Sequence, residues 1–264
     1  MVHGLEKFKE YFKDHTSQYV FIGGTACEIL MDELGAPFRA TKDLDIVLIV
    51  EALNVSFGES FWKFIEDGGY RHRQRSSGRN QFYRFTEPGD PDFPQMIELF
   101  SRLPDNIEKK CNSLLTPIHI DDSIVSLSAI LLNDVYYEAL VKGRRTVSGY
   151  SILGIEVVIL FKIKAWLDIY EHRAAGERVD SGKIKKHKND VFRLLANMSP
   201  SDRFDTTQDI RCDINRFISL IRAEGFDLKS IGIKRSGLNE LLENLGKIYG
   251  LSDNGEETGE ILLQ

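Results

Sequence analysis

Apolar residues change their spacing along this chain, and the change separates a front half of mixed elements from a helical back half. Tyr19-Val20-Phe21-Ile22 is a short continuous apolar run, as in a buried strand. Gly23-Gly24 breaks it, and helical spacing follows from about Thr25 to Leu34. Leu44 to Val50 is rich in β-branched residues and predicts a second strand. Phe61 to Asp67 reads as a helix. Asn80 to Phe85 and Gln95 to Phe100 read as the two strands of a hairpin, joined by the turn-rich Glu87-Pro88-Gly89-Asp90-Pro91-Asp92-Phe93-Pro94. Ser123 to Leu132 and Tyr150 to Leu153 are further strand candidates, with a helix around Asp134 to Val141. From Glu156 onward apolar residues recur at helical spacing in 157–170, 190–198, 214–223 and 238–249. The expected fold is α+β, with a mixed sheet and flanking helices in residues 1–150 and a helical lobe in 151–264. The closing SDNGEETGEILLQ is polar and acidic until its end and predicts fraying.

Composition changes this picture little. The 264 residues are 42% hydrophobic and 28% charged, which is ordinary for a globular chain. The formal net charge of −6 argues against a broad nucleic-acid surface, because counterion release needs a basic footprint, and it leaves room for a local one. Local basic clusters stand at Arg71 to Arg79 and Lys183 to Lys188. No apolar run approaches the roughly 20 residues that span a bilayer. The opening MVHGLEKFKEYFKDH reads as a charged amphipathic helix and not as a secretory signal. The expectation is a cytoplasmic protein with no membrane partner. Cys27, Cys111 and Cys212 form no CxxC pair, and the six histidines show no HxxxH or HExxH spacing, so neither residue type suggests a metal site. GxSxG and the P-loop pattern are absent.

The chemistry concentrates in Lys42-Asp43-Leu44-Asp45-Ile46-Val47. Strand side chains alternate faces, so Asp43 and Asp45 point one way while Leu44 and Ile46 point into the core. Two carboxylates on one face repel, and a hard divalent cation relieves that repulsion; magnesium carried by a nucleoside triphosphate is the usual case, with manganese as a substitute. Glu98, among the apolar residues of Gln95-Met96-Ile97-Glu98-Leu99-Phe100, offers a third carboxylate if its strand lies beside the first. Upstream, Gly23-Gly24-Thr25 joins a strand to a helix, where small residues and free amides suit a phosphate. Arg39, Thr41 and Lys42 precede Asp43 and are candidates for phosphate contact against the plainer reading of surface residues; Arg79 and Arg84 are weaker candidates. For Lys162 two readings are open. Its helical neighbours Val158, Ile159, Ala165 and Trp166 are apolar, so it either lines a cleft as a charge for triphosphate oxygens or snorkels to the surface. Lys164 has Asp168 within reach, and an ion pair is its expected fate.

Ile22-Gly23-Gly24 followed by Asp43-Leu44-Asp45-Ile46 resembles the motif of the nucleotidyltransferase superfamily, with a Gly24-to-Asp43 spacer lengthened through MDELGAPFRA. GGTA, TKDLDI, SLSAILLND, FKIKAWLD and KKHKNDVFRLL together resemble the AbiEii/AbiGii-type toxins of bacterial toxin–antitoxin systems, over residues 20 to 198. The resemblance implies a two-lobed enzyme that transfers a nucleoside monophosphate, with release of pyrophosphate, to RNA such as tRNA or to a protein, under control of a cognate antitoxin. It also implies that Lys162 and Asp190 join Asp43, Asp45 and Glu98 in catalysis, Asp190 acting near the nucleophile or holding the lysine. Two alternatives stand beside it: transfer to a small acceptor, as in aminoglycoside nucleotidyltransferases, and a nucleotide-binding module without turnover.

Overall fold

A computed structural model describes residues 2–39, 41–75, 81–101, 116–117 and 133–251. The fold is α+β, and the chain divides into two compact units, Met1–Asp190 and Val191–Gln264. The strand candidate Ser123 to Leu132 and the closing SDNGEETGEILLQ lie outside the described residues.

The first unit is built on one mixed sheet. Its strands are β1 (Tyr19–Phe21), β2 (Asp43–Leu48), β3 (His72–Arg75), β4 (Gln81–Thr86), β5 (Met96–Ser101), β6 (Thr116–Pro117), β7 (Arg144–Val147) and β8 (Tyr150–Leu153), in the order β6-β3-β4-β5-β2-β1-β8-β7. The centre is β4-β5-β2-β1. The β4–β5 pair is the expected antiparallel hairpin, β5 runs parallel to β2, and β1 runs antiparallel to β2. Leu44, Ile46, Ile97, Leu99, Tyr83 and Phe85 are buried at alternate positions of the three neighbouring strands, which fixes the register, since a one-residue slip would turn all of them outward.

Helices α1 (Leu5–Phe12) and α3 (Val55–Asp67) pack together, and the aromatic rings of α1 meet those of β1 and of α3: Phe8 lies 5.0 Å from Phe21, and Phe12 lies 5.5 Å from Phe64. Asn54 caps α3 by accepting from the Phe57 amide at 2.9 Å, which starts that helix six positions before the expected Phe61. Helix α2 (Gly23–Glu33) packs on β2 and on α5 (Ile155–Ala174), while α4 (Asp134–Lys142) also touches α5. Strands β3 and β7, which their polar residues hide in the sequence, extend the sheet through pairing with β4 and β8, and β6 pairs with β3 at one edge.

The expected division at residue 150 falls inside the first unit. Strand β8 pairs with β1 through Phe21 and Ile152, and α5 packs on α2, so both belong to the sheet-bearing unit. The end of α6 (Ser181–Leu195) begins the second unit, which continues with α7 (Gln208–Glu224) and α8 (Leu238–Ile248). There, Ile210, Ile214, Phe217 and Ile221 of α7 and Leu241, Leu242, Leu245 and Ile248 of α8 are buried at helical spacing.

Candidate functional site

Asp43 and Asp45 stand on β2 with Leu44 and Ile46 buried between and beyond them, as their alternation requires. Glu98 of β5 is the direct register partner of Asp45. On its other side Glu98 faces Arg84 of β4, which donates to Glu98 Oε1 from Nε at 2.9 Å and from Nη2 at 2.6 Å. A charged row therefore crosses three strands: Arg84, Glu98, Asp45.

The first residues of α2 close on this row. The Gly24 amide donates to Asp45 Oδ2 at 3.2 Å. Gly23 holds φ at +57°, and a Cβ there would overlap Asp45 Oδ2, so both the conformation and the space call for glycine. Burial is the main cause that pushes the Asp45 carboxyl up to about 7; the Glu98 charge adds to it and the Gly24 amide opposes it. Burial likewise raises Glu98, with Arg84 pulling it back.

A second cluster lies on the helices of the same unit. Lys162 of α5 and Asp190 of α6 are 5% and 0% exposed, and Lys162 Nζ donates to Asp190 Oδ2 at 2.8 Å. Arg39 donates to the same carboxylate, from Nη2 to Oδ2 at 3.1 Å and from Nε to Oδ1 at 3.4 Å. Burial works against the Asp190 charge, but Lys162 and Arg39 hold its carboxyl down to about 2. Burial also works against the Lys162 charge, and Cys27 and Asp190 hold it above the ordinary lysine value. The charge of Lys162 is felt at Asp45, which ties the two clusters electrostatically.

Lys162 does not snorkel to the surface; it is buried and paired with Asp190. Lys164 pairs with Asp168 at 3.5 Å, as its spacing suggested. Other expected phosphate-binding residues are used inside the fold. Thr25 is fully buried and its hydroxyl donates to the Asp43 carbonyl at 2.7 Å, locking α2 to β2. The Thr41 amide donates to Glu28 Oε2 at 3.0 Å, and a Cβ on Gly24 would come within 2.6 Å of Thr41 Oγ1. Lys42 is exposed beside Asp43. Arg39 binds Asp190, carrying the end of the long Gly24-to-Asp43 spacer to the α5–α6 cluster. Arg79 lies outside the described residues.

In the sequence Arg84 is a weaker candidate for phosphate contact, and its pairing with Glu98 does not show there. Aligning the hairpin by its apolar alternation would have put the two opposite each other. Lys186 of α6 stands out in the sequence only as part of the basic run Lys183 to Lys188, and His187 only as a histidine outside any metal-binding spacing. Lost hydration and the charges of Arg39 and Lys162 lower Lys186. Burial pushes His187 down to about 3, with the Lys162 charge adding to it.

Among the described residues, no group of three or more His, Cys, Asp or Glu side chains is gathered tightly enough to hold a metal ion as the side chains stand. The donor chemistry still fits a hard divalent cation. Asp45 and Glu98 offer oxygen donors from adjacent strands, Asp43 offers a third two residues along, and Asp45 is lifted to about 7 partly by the Glu98 charge. No described helix is long and apolar enough to cross a membrane. No protein-family model, no curated protein and no solved structure matches this chain.

Proposed function

We infer that this chain is a magnesium-dependent nucleotidyltransferase that moves a nucleoside monophosphate from a nucleoside triphosphate to a macromolecular acceptor, RNA such as tRNA or a protein. Its biological role in this reading is that of a toxin held in check by a cognate antitoxin. The observation that carries the reading is the register of Asp45 with Glu98, at the point where the Gly23-Gly24 backbone meets Asp45.

Asp43, Asp45 and Glu98 would hold the ion, which when bound neutralises phosphate oxygens and makes an acceptor hydroxyl more acidic. The chain's own groups do the rest. The Gly23-Gly24 backbone at the start of α2 lies against Asp45, so a polyphosphate drawn to an ion held there would come close to that helix N-terminus. Lys162 supplies positive charge to the same region, and Asp190 keeps that lysine charged and fixed. In the transfer, the acceptor oxygen forms a bond to the α-phosphorus, the bond to the bridging oxygen of pyrophosphate breaks, and the hydroxyl proton passes to a carboxylate of the site.

The test is incubation with labelled nucleoside triphosphates, magnesium and cell RNA or lysate, beside the Asp43→Ala/Asp45→Ala double variant. Wild type is expected to label RNA or protein and to arrest growth on expression, and the double variant to do neither. If wild type labels nothing beyond what the double variant labels, the reading fails.

A further inference from the structure

The row Arg84–Glu98–Asp45 contains a cation where the proposed function calls for a metal ion. Its geometry follows from two ladders. Arg84 and Glu98 are direct partners in the antiparallel β4–β5 pair, and Glu98 and Asp45 are direct partners in the parallel β5–β2 pair. Tyr83 and Phe85 on either side of Arg84, and Ile97 and Leu99 on either side of Glu98, are buried, so neither charged side chain can turn to the opposite face without losing the register.

The two bonds from Arg84 to Glu98 fall on the same carboxylate oxygen, Oε1, at 2.9 and 2.6 Å. A guanidinium that meets a carboxylate fork to fork uses both oxygens, whereas this one leaves Oε2 out of the pairing. Arg84 and Glu98 are 21% and 15% exposed, so their attraction is little weakened by water. A divalent ion and a guanidinium cannot both sit against one carboxylate at full strength, because they repel each other at that distance.

We propose that Arg84 is the built-in countercation of the carboxylate row: it neutralises Glu98 in the ion-free protein and yields Glu98 when a divalent ion is taken up. Ion binding is then a displacement, and the Arg84–Glu98 bond sets how tightly the ion is held. This rests on the carboxylate site of the proposed function.

The experiment is titration of the full chain with Mn2+ alone, without nucleotide, followed by the loss of the free-ion signal in electron paramagnetic resonance. Arg84→Met removes the charge and keeps the stem, and it should bind Mn2+ about tenfold tighter or more, since a hydrogen bond to a charged group is worth roughly one such factor or two. Arg84→Lys should stay near wild type. Asp45→Asn should lose binding. Unchanged or weaker binding by Arg84→Met, with wild-type binding still lost in Asp45→Asn, overturns the displacement and leaves the carboxylate site standing. Absence of binding in every variant, or binding insensitive to Asp45→Asn, overturns both. A second measurement needs no variant: the Arg84 Nε–H resonance should be protected from exchange in the ion-free chain and lose protection on addition of Mg2+. Protection that survives saturating Mg2+ overturns the proposal even if Arg84→Met fails to fold.

Discussion

Asp190→Asn tests the buried charge network most directly, because it removes one negative charge and almost no volume. Asp190 is fully buried, and its Oδ2 accepts from Lys162 Nζ at 2.8 Å and from Arg39 Nη2 at 3.1 Å. With asparagine in place, two cations lose the anion they share, and the Lys162 charge stays buried. Breaking a buried pair from one side costs about 3–5 kcal/mol. The fall of the Asp190 carboxyl from 3.8 to about 2 corresponds to about 2–3 kcal/mol, a smaller figure because the burial cost has already been subtracted. A loss of about 3 kcal/mol is therefore expected, which for a unit of this size lowers Tm by about 6–12 °C. Lys162→Met should cost less, because Arg39 remains on the carboxylate. The pH dependence has a definite sign. A carboxyl held below its unfolded value contributes stability above about pH 4, and the contribution is lost as pH falls towards 2. The gap between wild type and Asp190→Asn should narrow over that window. Urea unfolding followed by circular dichroism, from pH 7 down to pH 3, reads all three quantities. A cost below about 1 kcal/mol, a gap that does not narrow in acid, or a larger loss in Lys162→Met would refute the shared-carboxylate account.

Gly23 and Gly35 both hold positive φ, but an added Cβ meets Asp45 at Gly23 and nothing within 4 Å at Gly35. Gly35→Ala should cost about 1–2 kcal/mol from backbone strain alone, and Gly23→Ala clearly more; equal losses in thermal unfolding would remove the close approach to Asp45 from the account. Asp45 is raised above its unfolded value, so ion-free wild type should lose stability as pH climbs from about 4 to about 7. Asp45→Asn should be more stable than wild type at pH 8 and not at pH 4; melting curves in chelator check this, and a destabilised variant at pH 8 contradicts it. Lys164→Ala breaks a partly exposed pair with Asp168 and should cost less than about 1 kcal/mol in the same melts; a loss as large as that of Asp190→Asn contradicts this.

Local chemistry made several features legible in the sequence. The Gly23-Gly24 break, the alternation of Asp43-Leu44-Asp45-Ile46 and the apolar flanks of Glu98 each follow from strand periodicity and backbone freedom, which act over a few residues. The apolar surroundings of Lys162 showed that it faces either inward or along its own stem, and no local rule decides between those. Strands β3 and β7 were missed because His72-Arg73-Gln74-Arg75 and Arg144-Arg145-Thr146-Val147 carry little apolar alternation, and what makes them strands is a neighbour to pair with.

The sequence by itself determined that Asp43 and Asp45 share a face, that a glycine pair marks the change from strand to helix, and that a helical segment carries a lysine among apolar residues, since each depends on spacing along one element. Only the tertiary structure decided which groups meet. The parallel β2–β5 register set Glu98 against Asp45, the hairpin set Arg84 against Glu98, and the packing of the first unit brought Arg39 and Lys162 to one oxygen of Asp190. Such pairings span up to 151 positions of chain, and they are fixed by the burial of apolar faces far from the charges themselves.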